Sequence, residues 1–230
     1  MSDEWRQRTP QQAREYWNSK TPQEQKEEWA STHQEWELHY HKGGNYRHRE
    51  KLWNEVWKNV YSGFVEFEKN QFQKENVLLD LGCGSRPALS WFTQGEKYHL
   101  DPLLDNFVTI PAMADFWKKE SNLLSQPAET LVESLVGKCD FVQCWNVLDH
   151  TYDWRKIVAN FSQYAKPGAI ALMGTDLGPT PSIGHTGIDD PQELTAMIEQ
   201  DFEVIKLVDL KKGKRFEYCR NLCLKLRRKD

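Results

Sequence analysis

The sequence predicts an α/β fold with a seven-stranded, mainly parallel sheet and an antiparallel last strand, preceded by a helical N-terminal extension. From residue 77 onward, short apolar segments alternate with helical segments, as in βαβ units. The last two apolar segments are separated only by residues 211–214, and this short connection favours a hairpin. Residues 1–72 show no strand pattern, yet they hold six of the ten tryptophans.

The extension is predicted to contain short capped helices. Thr9 and Thr21 each precede a proline and stand three residues before Gln12 or Glu24, a pattern that predicts two helices with capping boxes. Ser31 begins a third pattern of this kind. A longer amphipathic helix is predicted over residues 52–64, where apolar side chains recur at helical spacing. We therefore divide the chain into a Trp-rich helical extension or lid, residues 1–72, and a sheet domain, residues 73–230.

Each element of the sheet domain follows from an apolar run or an amphipathic segment. Strands are predicted at residues 77–81, 97–101, 123–125, 139–145, 169–174, 202–210 and 216–226. Helices are predicted at about residues 87–94, 105–118, 129–136, 153–165 and 190–200. Right-handed crossovers between parallel strands bring the carboxyl ends of those strands to one edge of the sheet.

The composition excludes several classes of protein. Of the 230 residues, 39% are apolar and the formal net charge is −4, which argues against a disordered chain and against a dedicated nucleic-acid binder. The longest apolar run, residues 169–173, is too short to cross a bilayer, so no membrane partner is expected. The first thirty residues contain no apolar segment typical of a secretory signal, and the five cysteines form no disulfide framework. We expect a cytoplasmic protein.

A glycine turn after the first strand predicts a ligand site. Gly82 and Gly84 follow this strand directly, and two glycines at this spacing let the backbone come close to a bound molecule. A dinucleotide-binding motif would have a third glycine where this chain has Pro87. Asp80, two residues before the first glycine, suits a ligand that carries a cationic amino-acid group rather than a pyrophosphate.

The second strand ends in an acidic residue with a matching role. Asp101 is expected at the tip of the strand beside Gly82, at the same edge of the sheet. A carboxylate there can accept hydrogen bonds from both hydroxyls of a ribose. The two strand ends together predict a site for a nucleoside-like ligand.

Further motifs follow in order along the chain. Residues 77–84 read Val-Leu-Leu-Asp-Leu-Gly-Cys-Gly, residues 146–150 read Asn-Val-Leu-Asp-His, and residues 166–168 read Lys-Pro-Gly. With the terminal hairpin, these motifs resemble those of the class I S-adenosylmethionine-dependent methyltransferases, whose fourth-strand motif often ends in Asn-x-Leu-Glu-His. The resemblance covers about residues 75–226. It implies a Rossmann-like sheet, methyltransferase activity and S-adenosyl-L-methionine as the cofactor.

A narrower resemblance concerns the acceptor. Residues 101–103, Glu129, residues 148–153 and an isolated His185 look like a bacterial subgroup associated with polysaccharide and other glycan clusters. This likeness implies a polar small molecule or a glycan as the methyl acceptor.

The family resemblance also implies a role for individual residues. The cofactor-binding residues that it implies are Asp80, Gly82, Cys83, Gly84, Asp101, Pro102, Ala128, Glu129 and Asn146. The group from Asp80 to Gly84 would surround the methionine moiety, Asp101 the ribose, and residues 128–129 the adenine. Asn146 would close the floor under the sulfonium.

Methyl transfer to a hydroxyl needs a positioned acceptor and benefits from a base. His150, just after the fourth strand, and His185, after the fifth, are the catalytic candidates because imidazole titrates near neutral pH. No cluster of His, Cys and carboxylates has the sequence spacing of metal ligands, so we expect turnover without a metal. Asp149 and Asp153 are the residues to examine if turnover should depend on magnesium.

The extension is expected to cover the carboxyl edge of the sheet. Tyr40, Tyr46, Arg49 and Trp53 are the predicted substrate-binding wall, which would exclude water from the acceptor. The earlier repeats would buttress this wall or mediate self-association. Deletion of residues 1–30 is expected to leave cofactor binding largely intact.

Two other functions stay open. Residues 206–230 contain ten Lys or Arg against three Asp or Glu, which permits an RNA or DNA methyltransferase, although a solvated strand face explains most of this charge. Enzymes that methylate amino groups of nucleic acids usually carry an Asp- or Asn-Pro-Pro-aromatic motif where residues 146–149 read Asn-Val-Leu-Asp. The third function is that of a cofactor-binding subunit without activity, which would dock a partner through the helical extension.

Overall fold

The computed structural model describes residues 8–42, 53–177, 185–188, 190–211 and 220–230. The strands of this part of the chain form one seven-stranded sheet. The strands are β1 Val77–Leu81, β2 Glu96–Leu100, β3 Asn122–Leu124, β4 Cys139–Trp145, β5 Ala165–Leu177, β6 Phe202–Lys211 and β7 Arg220–Arg228. Their order is β3-β2-β1-β4-β5-β7-β6. Strand pairs from β3 to β5 are parallel, whereas β7 runs antiparallel to both β5 and β6. The predicted fold class is confirmed, and the predicted start of the last strand at residue 216 lies outside the described residues.

The helices follow the prediction in part. They are α1 Pro10–Asn18, α2 Pro22–Glu28, α3 Gln34–Lys42, α4 residues 53–58, α5 Leu104–Phe107, α6 Pro111–Trp117, α7 Trp154–Tyr164 and α8 Pro191–Asp201. The single helix predicted over residues 105–118 is wrong, because Pro111 starts a new helix at its first position. The helices predicted near residues 87–94 and 129–136 are only short 3₁₀ turns. Within the described part of the chain, no helix is long and apolar enough to cross a membrane.

Two of the three predicted capping boxes form. Thr9 and Thr21 both cap their helices, and the Glu24 side chain accepts a 2.7 Å hydrogen bond from the Thr21 N–H. The third is wrong, because Ser31 lies inside a π-helical segment, Trp29–His33, that joins α2 to α3. This segment buries Trp29 and His33, so tertiary packing overrides the local preference of Ser31 for a cap.

The two faces of the sheet have different covers. On one face, α7 and α8 pack over alternate residues of the strands, such as Val142 and Met173. On the other face, part of the N-terminal extension supplies the cover, and the rings of Tyr61, Phe72 and Phe141 pack there. We call residues 53–72 the core segment, since they complete this aromatic layer, and residues 8–42 the cap segment.

Candidate active site

The carboxyl ends of β1, β2 and β4 open onto a cavity of about 450 Å³. The strand order reverses at β1, which is where open α/β sheets bind ligands. The cap segment closes the cavity with Trp29, Glu37 and His41, and the core segment contributes Trp53 and Trp57. The predicted glycine turn and the N-terminal extension therefore meet at one site.

The turn after β1 adopts a conformation that requires glycine. Gly82 and Gly84 have φ values of +69° and +65°, a region that other residues rarely adopt. A Cβ atom on Gly82 would lie 2.3 Å from the side chain of Val147, so a larger residue cannot fit there. No atom lies within 4 Å of a Cβ built on Gly84, so this backbone faces open space. Cys83, between them, is buried and lines the cavity.

Two buried carboxylates stand at the ends of β1 and β2. The Asp101 oxygens accept hydrogen bonds of 2.9 Å each from the backbone N–H groups of Gly84 and Leu103. Burial raises the pKa of Asp101 to about 6, although these two hydrogen bonds oppose the shift. Asp80 is also buried, its pKa is raised to about 6 by burial, and its Oδ2 atom has no hydrogen-bond partner among the described residues. A cationic ligand group would satisfy that oxygen.

Another part of the cavity lining comes from the chain between β3 and β4. Ala128 and Glu129 line the cavity, as does Pro102 after β2. The Glu129 Oε1 atom accepts a hydrogen bond of 3.2 Å from the Tyr152 N–H, while its buried Oε2 atom has no partner among the described residues. Burial raises the pKa of Glu129 to about 7. Such a carboxyl group can accept a hydrogen bond from an amino group of a bound ring.

Asn146 stands at the end of β4 in a strained backbone conformation. Its φ value is +58°, and its N–H donates to the Gly174 carbonyl oxygen at 2.7 Å. Next to it, the Trp145 ring covers Gly174 so closely that a Cβ atom there would lie 2.5 Å from the ring. The end of β4 and the neighbouring part of β5 are therefore held in place beside the cavity.

The two predicted catalytic histidines lie together, with ring centroids 4.1 Å apart. His185 Nδ1 is 2.9 Å from the Asp149 Oδ2 atom, and His150 Nδ1 is 3.0 Å from the Glu37 Oε1 atom. Burial opposes ionisation of Asp149, but the two neighbouring histidines outweigh it and hold the pKa of Asp149 below its ordinary value. His150 lines the cavity beside Asn146, and its Nε2 atom is 3.3 Å from the Asn146 Nδ2 atom.

The predicted substrate wall has a different composition in the structure. Trp53 lines the cavity, but Tyr40 is 54% exposed and is absent from the lining, while Tyr46 and Arg49 lie outside the described residues. The wall also contains residues that the sequence did not single out for it, among them Trp29 and Glu37. Trp29 donates its indole N–H to the His150 carbonyl oxygen at 2.7 Å, and Glu37 reaches the His150 ring.

Three tryptophans form the apolar side of the cavity. Trp57 packs edge-on against Trp145, with ring centroids 5.8 Å apart, and against Trp53 at 5.6 Å. Their indole rings give the cavity flat apolar surfaces, in addition to its histidines and carboxylates. The helical spacing of Trp53 and Trp57 could have predicted that these two share a face, but not that Trp145 would meet them.

The fold is shared with solved methyltransferases. The Burkholderia thailandensis 1,6-didemethyltoxoflavin-N1-methyltransferase, crystallised with S-adenosylhomocysteine, is 13% identical, covers 83% of this chain and 84% of its own, and has a TM-score of 0.56. The N-methyltransferase NodS from Bradyrhizobium japonicum, also with S-adenosylhomocysteine, is 12% identical, with coverage of 84% and 97% and a TM-score of 0.59. Geranyl diphosphate C-methyltransferase from Streptomyces coelicolor is 12% identical, with coverage of 74% and 76% and a TM-score of 0.57.

Sequence comparison gives the family. No curated protein matches the chain. A family model described as a methyltransferase domain matches residues 47–194, more than half of the sequence. The chain therefore belongs to the methyltransferase domain family, and the prediction of S-adenosylmethionine as its cofactor is confirmed at the level of that family.

Proposed function

We propose that the protein is a cytoplasmic enzyme that transfers the methyl group of S-adenosylmethionine to a hydroxyl oxygen of a polar small molecule or glycan. The observation that carries this proposal is the position of His150. Its ring lines the cavity beside Asn146, next to the tryptophan wall, with a carboxylate on the far side of the imidazole. When bound, the cofactor supplies a methyl carbon on positively charged sulfur, which is already activated toward nucleophiles.

The residues at the carboxyl edge fit this cofactor. We assign the unpartnered oxygen of Asp80 to the cationic amino group and the turn from Gly82 to Gly84, with Cys83, to the methionine backbone. Asp101 uses one lone pair of each oxygen for a backbone N–H, so each oxygen can still accept from a ribose hydroxyl. The remaining contacts, to the adenine and below the sulfonium, we assign to Pro102, Ala128, Glu129 and Asn146.

The acceptor would lie between the tryptophans and the histidines. Trp53, Trp57 and Trp145 offer flat surfaces for the apolar face of a sugar ring or another flat acceptor, while His150 offers a polar contact. The Glu37 contact at Nδ1 favours the tautomer that has its lone pair on Nε2, and this atom would accept the proton of an acceptor hydroxyl in place of its contact with Asn146 Nδ2. We assign His150 to this handling of the hydroxyl, with the cap segment excluding water. His185, whose ring packs against His150 but is not among the cavity-lining residues, we assign to the same function through His150.

Ion pairs of the basic tail make nucleic acid a weaker candidate acceptor. Lys206 and Lys225 both contact Glu66, at 3.3 Å and 3.1 Å. Arg228 contacts Asp201 at 3.0 Å. These three of the ten basic residues in 206–230 thus have an acidic partner within the fold, which leaves less of the positive charge for phosphates.

Titration calorimetry with S-adenosylmethionine and S-adenosylhomocysteine tests the cofactor site. Asp101→Ala removes hydrogen bonds to a charged acceptor, and their loss should cost about 2–4 kcal/mol of binding free energy. We therefore expect binding to be at least tenfold weaker. Asp105→Ala, an exposed neighbour, is the matched control and should bind as the wild type does. Absence of heat with either ligand on folded wild-type protein would show the assignment to be wrong.

A screen of acceptors tests the reaction. S-adenosylhomocysteine formation is measured with polyols, oligosaccharides, phenols, amines and RNA as separate acceptors. Turnover with a hydroxyl acceptor supports the proposal, turnover only with amines or RNA contradicts it, and tight cofactor binding without any turnover favours the partner-docking subunit.

A further inference from the structure

The fold brings together three potential metal ligands whose sequence positions do not form a metal-binding motif. Asp149, His150 and His185 each place one ligand atom within 4.8 Å of the other two. The Asp149 Oδ2 atom is 2.9 Å from His185 Nδ1 and 3.7 Å from His150 Nε2. Two atoms bonded to one ion at about 2.1 Å are themselves roughly 3–3.5 Å apart, so these separations need little rearrangement to enclose an ion.

The surroundings hold these three side chains in place. The Asp149 carbonyl oxygen accepts hydrogen bonds from the backbone N–H groups of Thr186 and Gly187, at 2.7 Å and 3.1 Å, which fixes the chain just after His185. Thr175 Oγ1 is 3.4 Å from Asp149 Oδ1. These contacts tie the turn after β4 to the end of β5 and to the loop beyond it, so the cluster rests on the sheet.

Glu37 adds the outer contact that histidine ligands usually have. Its carboxylate is 3.0 Å from His150 Nδ1, on the side of the ring away from Asp149. A proton on Nδ1 puts the lone pair on Nε2, where an ion would replace the contact with Asn146 Nδ2. A carboxylate behind a ligand imidazole fixes its tautomer and orientation. The cap segment, through Glu37, thus completes this arrangement.

We propose that Asp149, His150 and His185 bind one divalent first-row transition metal ion beside the cavity, whose wall His150 forms in part. Two imidazoles and one carboxylate form a donor set typical of catalytic Zn²⁺ and of Fe²⁺ or Mn²⁺ with open coordination positions. Magnesium fits less well because it prefers oxygen ligands. This inference revises the expectation of metal-free turnover, which rested on sequence spacing alone.

The ion would deepen the proposed function, on which this step rests. A hydroxyl oxygen of the acceptor binds at an open position in place of a bound hydroxide, which takes up the proton of the acceptor and leaves as water. The oxygen then forms the bond to the methyl carbon while the carbon–sulfur bond breaks and its electron pair stays on sulfur. In this arrangement the two histidines act on the acceptor as ligands rather than as bases.

Cobalt binding tests the proposal without any acceptor. Full-length protein is treated with chelator, dialysed and titrated with Co²⁺, with binding followed by calorimetry and by visible d–d absorption. We expect one Co²⁺ per chain, Zn²⁺ competing for the same site, and at least a tenfold loss of affinity in His185→Ala and Asp149→Asn. His39→Ala removes an exposed histidine from the same molecule and serves as the matched control with unchanged binding. Circular dichroism of each variant verifies folding, and the 45% exposed His185 side chain makes that variant the safer one.

The outcomes separate this inference from the proposed function. The metal site is wrong if folded wild-type protein binds S-adenosylhomocysteine but not Co²⁺, or if the wild type and His185→Ala bind Co²⁺ with equal affinity. Either result leaves the methyltransferase proposal intact. Stoichiometric Co²⁺ binding that is lost in the variants supports the site even if the acceptor screen fails. Absence of S-adenosylhomocysteine binding counts against the proposed function alone.

Discussion

The cap segment and the core segment are both rich in tryptophan, but they have different tasks. In the core segment, Tyr61 and Val65 are completely buried, and the Tyr61 hydroxyl donates to Gln143 in the middle of β4 at 2.5 Å. In the cap segment, the buried apolar cluster contains only Ala13, Trp17 and Trp29. Its attachment to the rest of the protein includes polar contacts at His150.

This difference shows how one composition serves stability in one place and a site in another. The core segment packs its rings on one sheet face together with Ala88, Leu89 and Phe92, so its burial contributes to folding. The cap segment places an indole N–H and a carboxylate on a residue of the cavity, so its contacts act on the site. We therefore expect mutations in the first to change stability and mutations in the second to change acceptor use.

Removal of a buried side chain from the core segment should give the largest effect on stability. Tyr61→Ala removes a buried ring and leaves Gln143 without its partner, so the free energy of unfolding should fall by about 3–5 kcal/mol. Urea unfolding measures this loss, and Tyr61→Phe, which removes only the hydroxyl, should cost about 1–3 kcal/mol. Near-normal stability of Tyr61→Ala would mean that the core segment is not part of the folding unit.

Asp80 and Asp101, at the edge that the cap segment covers, should contribute to the pH dependence of stability. The pKa values of Asp80 and Asp101 are raised to about 6 from 3.8, so the folded, ligand-free protein favours their protonated forms. Their contribution to stability is present below about pH 4 and is lost as the pH rises to about 6. Asp80→Asn should therefore gain stability relative to the wild type over this interval. A difference between the two proteins that is constant from pH 4 to pH 7 in urea unfolding would contradict the buried carboxylate.

A change at the cap contact should have a moderate effect on acceptor use. Glu37→Gln weakens a charged hydrogen bond to His150 by about 1 kcal/mol, so kcat/KM for the acceptor should fall roughly fivefold. Affinity for S-adenosylhomocysteine should stay the same, and Glu35→Gln, exposed on the same helix, is the matched control. Equal kinetics of the two variants would show that the cap segment does not act on the site through Glu37.

Deletion of the first helix should have the smallest effect. Tyr16 and Trp17 of α1 contact Glu28 and His33, both within the cap segment itself. Protein lacking residues 1–20 should bind S-adenosylhomocysteine within about twofold of the full chain, as measured by calorimetry. The longer deletion of residues 1–30 also removes Trp29 from the cavity wall, so we expect it to impair the acceptor side in addition. Loss of cofactor binding in the shorter, folded protein would give α1 a role at the site.

Local sequence patterns determined the sheet, its glycine turn and the acidic residues at the strand ends. Apolar runs specify strands directly, and Gly82 and Gly84 are needed wherever φ is positive, whatever surrounds them. Asp80 and Asp101 could be placed at one edge because parallel neighbouring strands end there. The family motifs added the cofactor to this frame.

Only the tertiary structure decided which distant residues meet at the acceptor end. Glu37 lies 113 residues before His150, and His185 lies 36 residues after Asp149, so no local period or spacing links them. The burial of Trp29 and His33 likewise overrode the capping pattern at Ser31, because packing of large side chains outweighs the preference of one hydroxyl. Contacts of this kind depend on how helices and loops pack over the sheet, and that packing is a property of the whole chain.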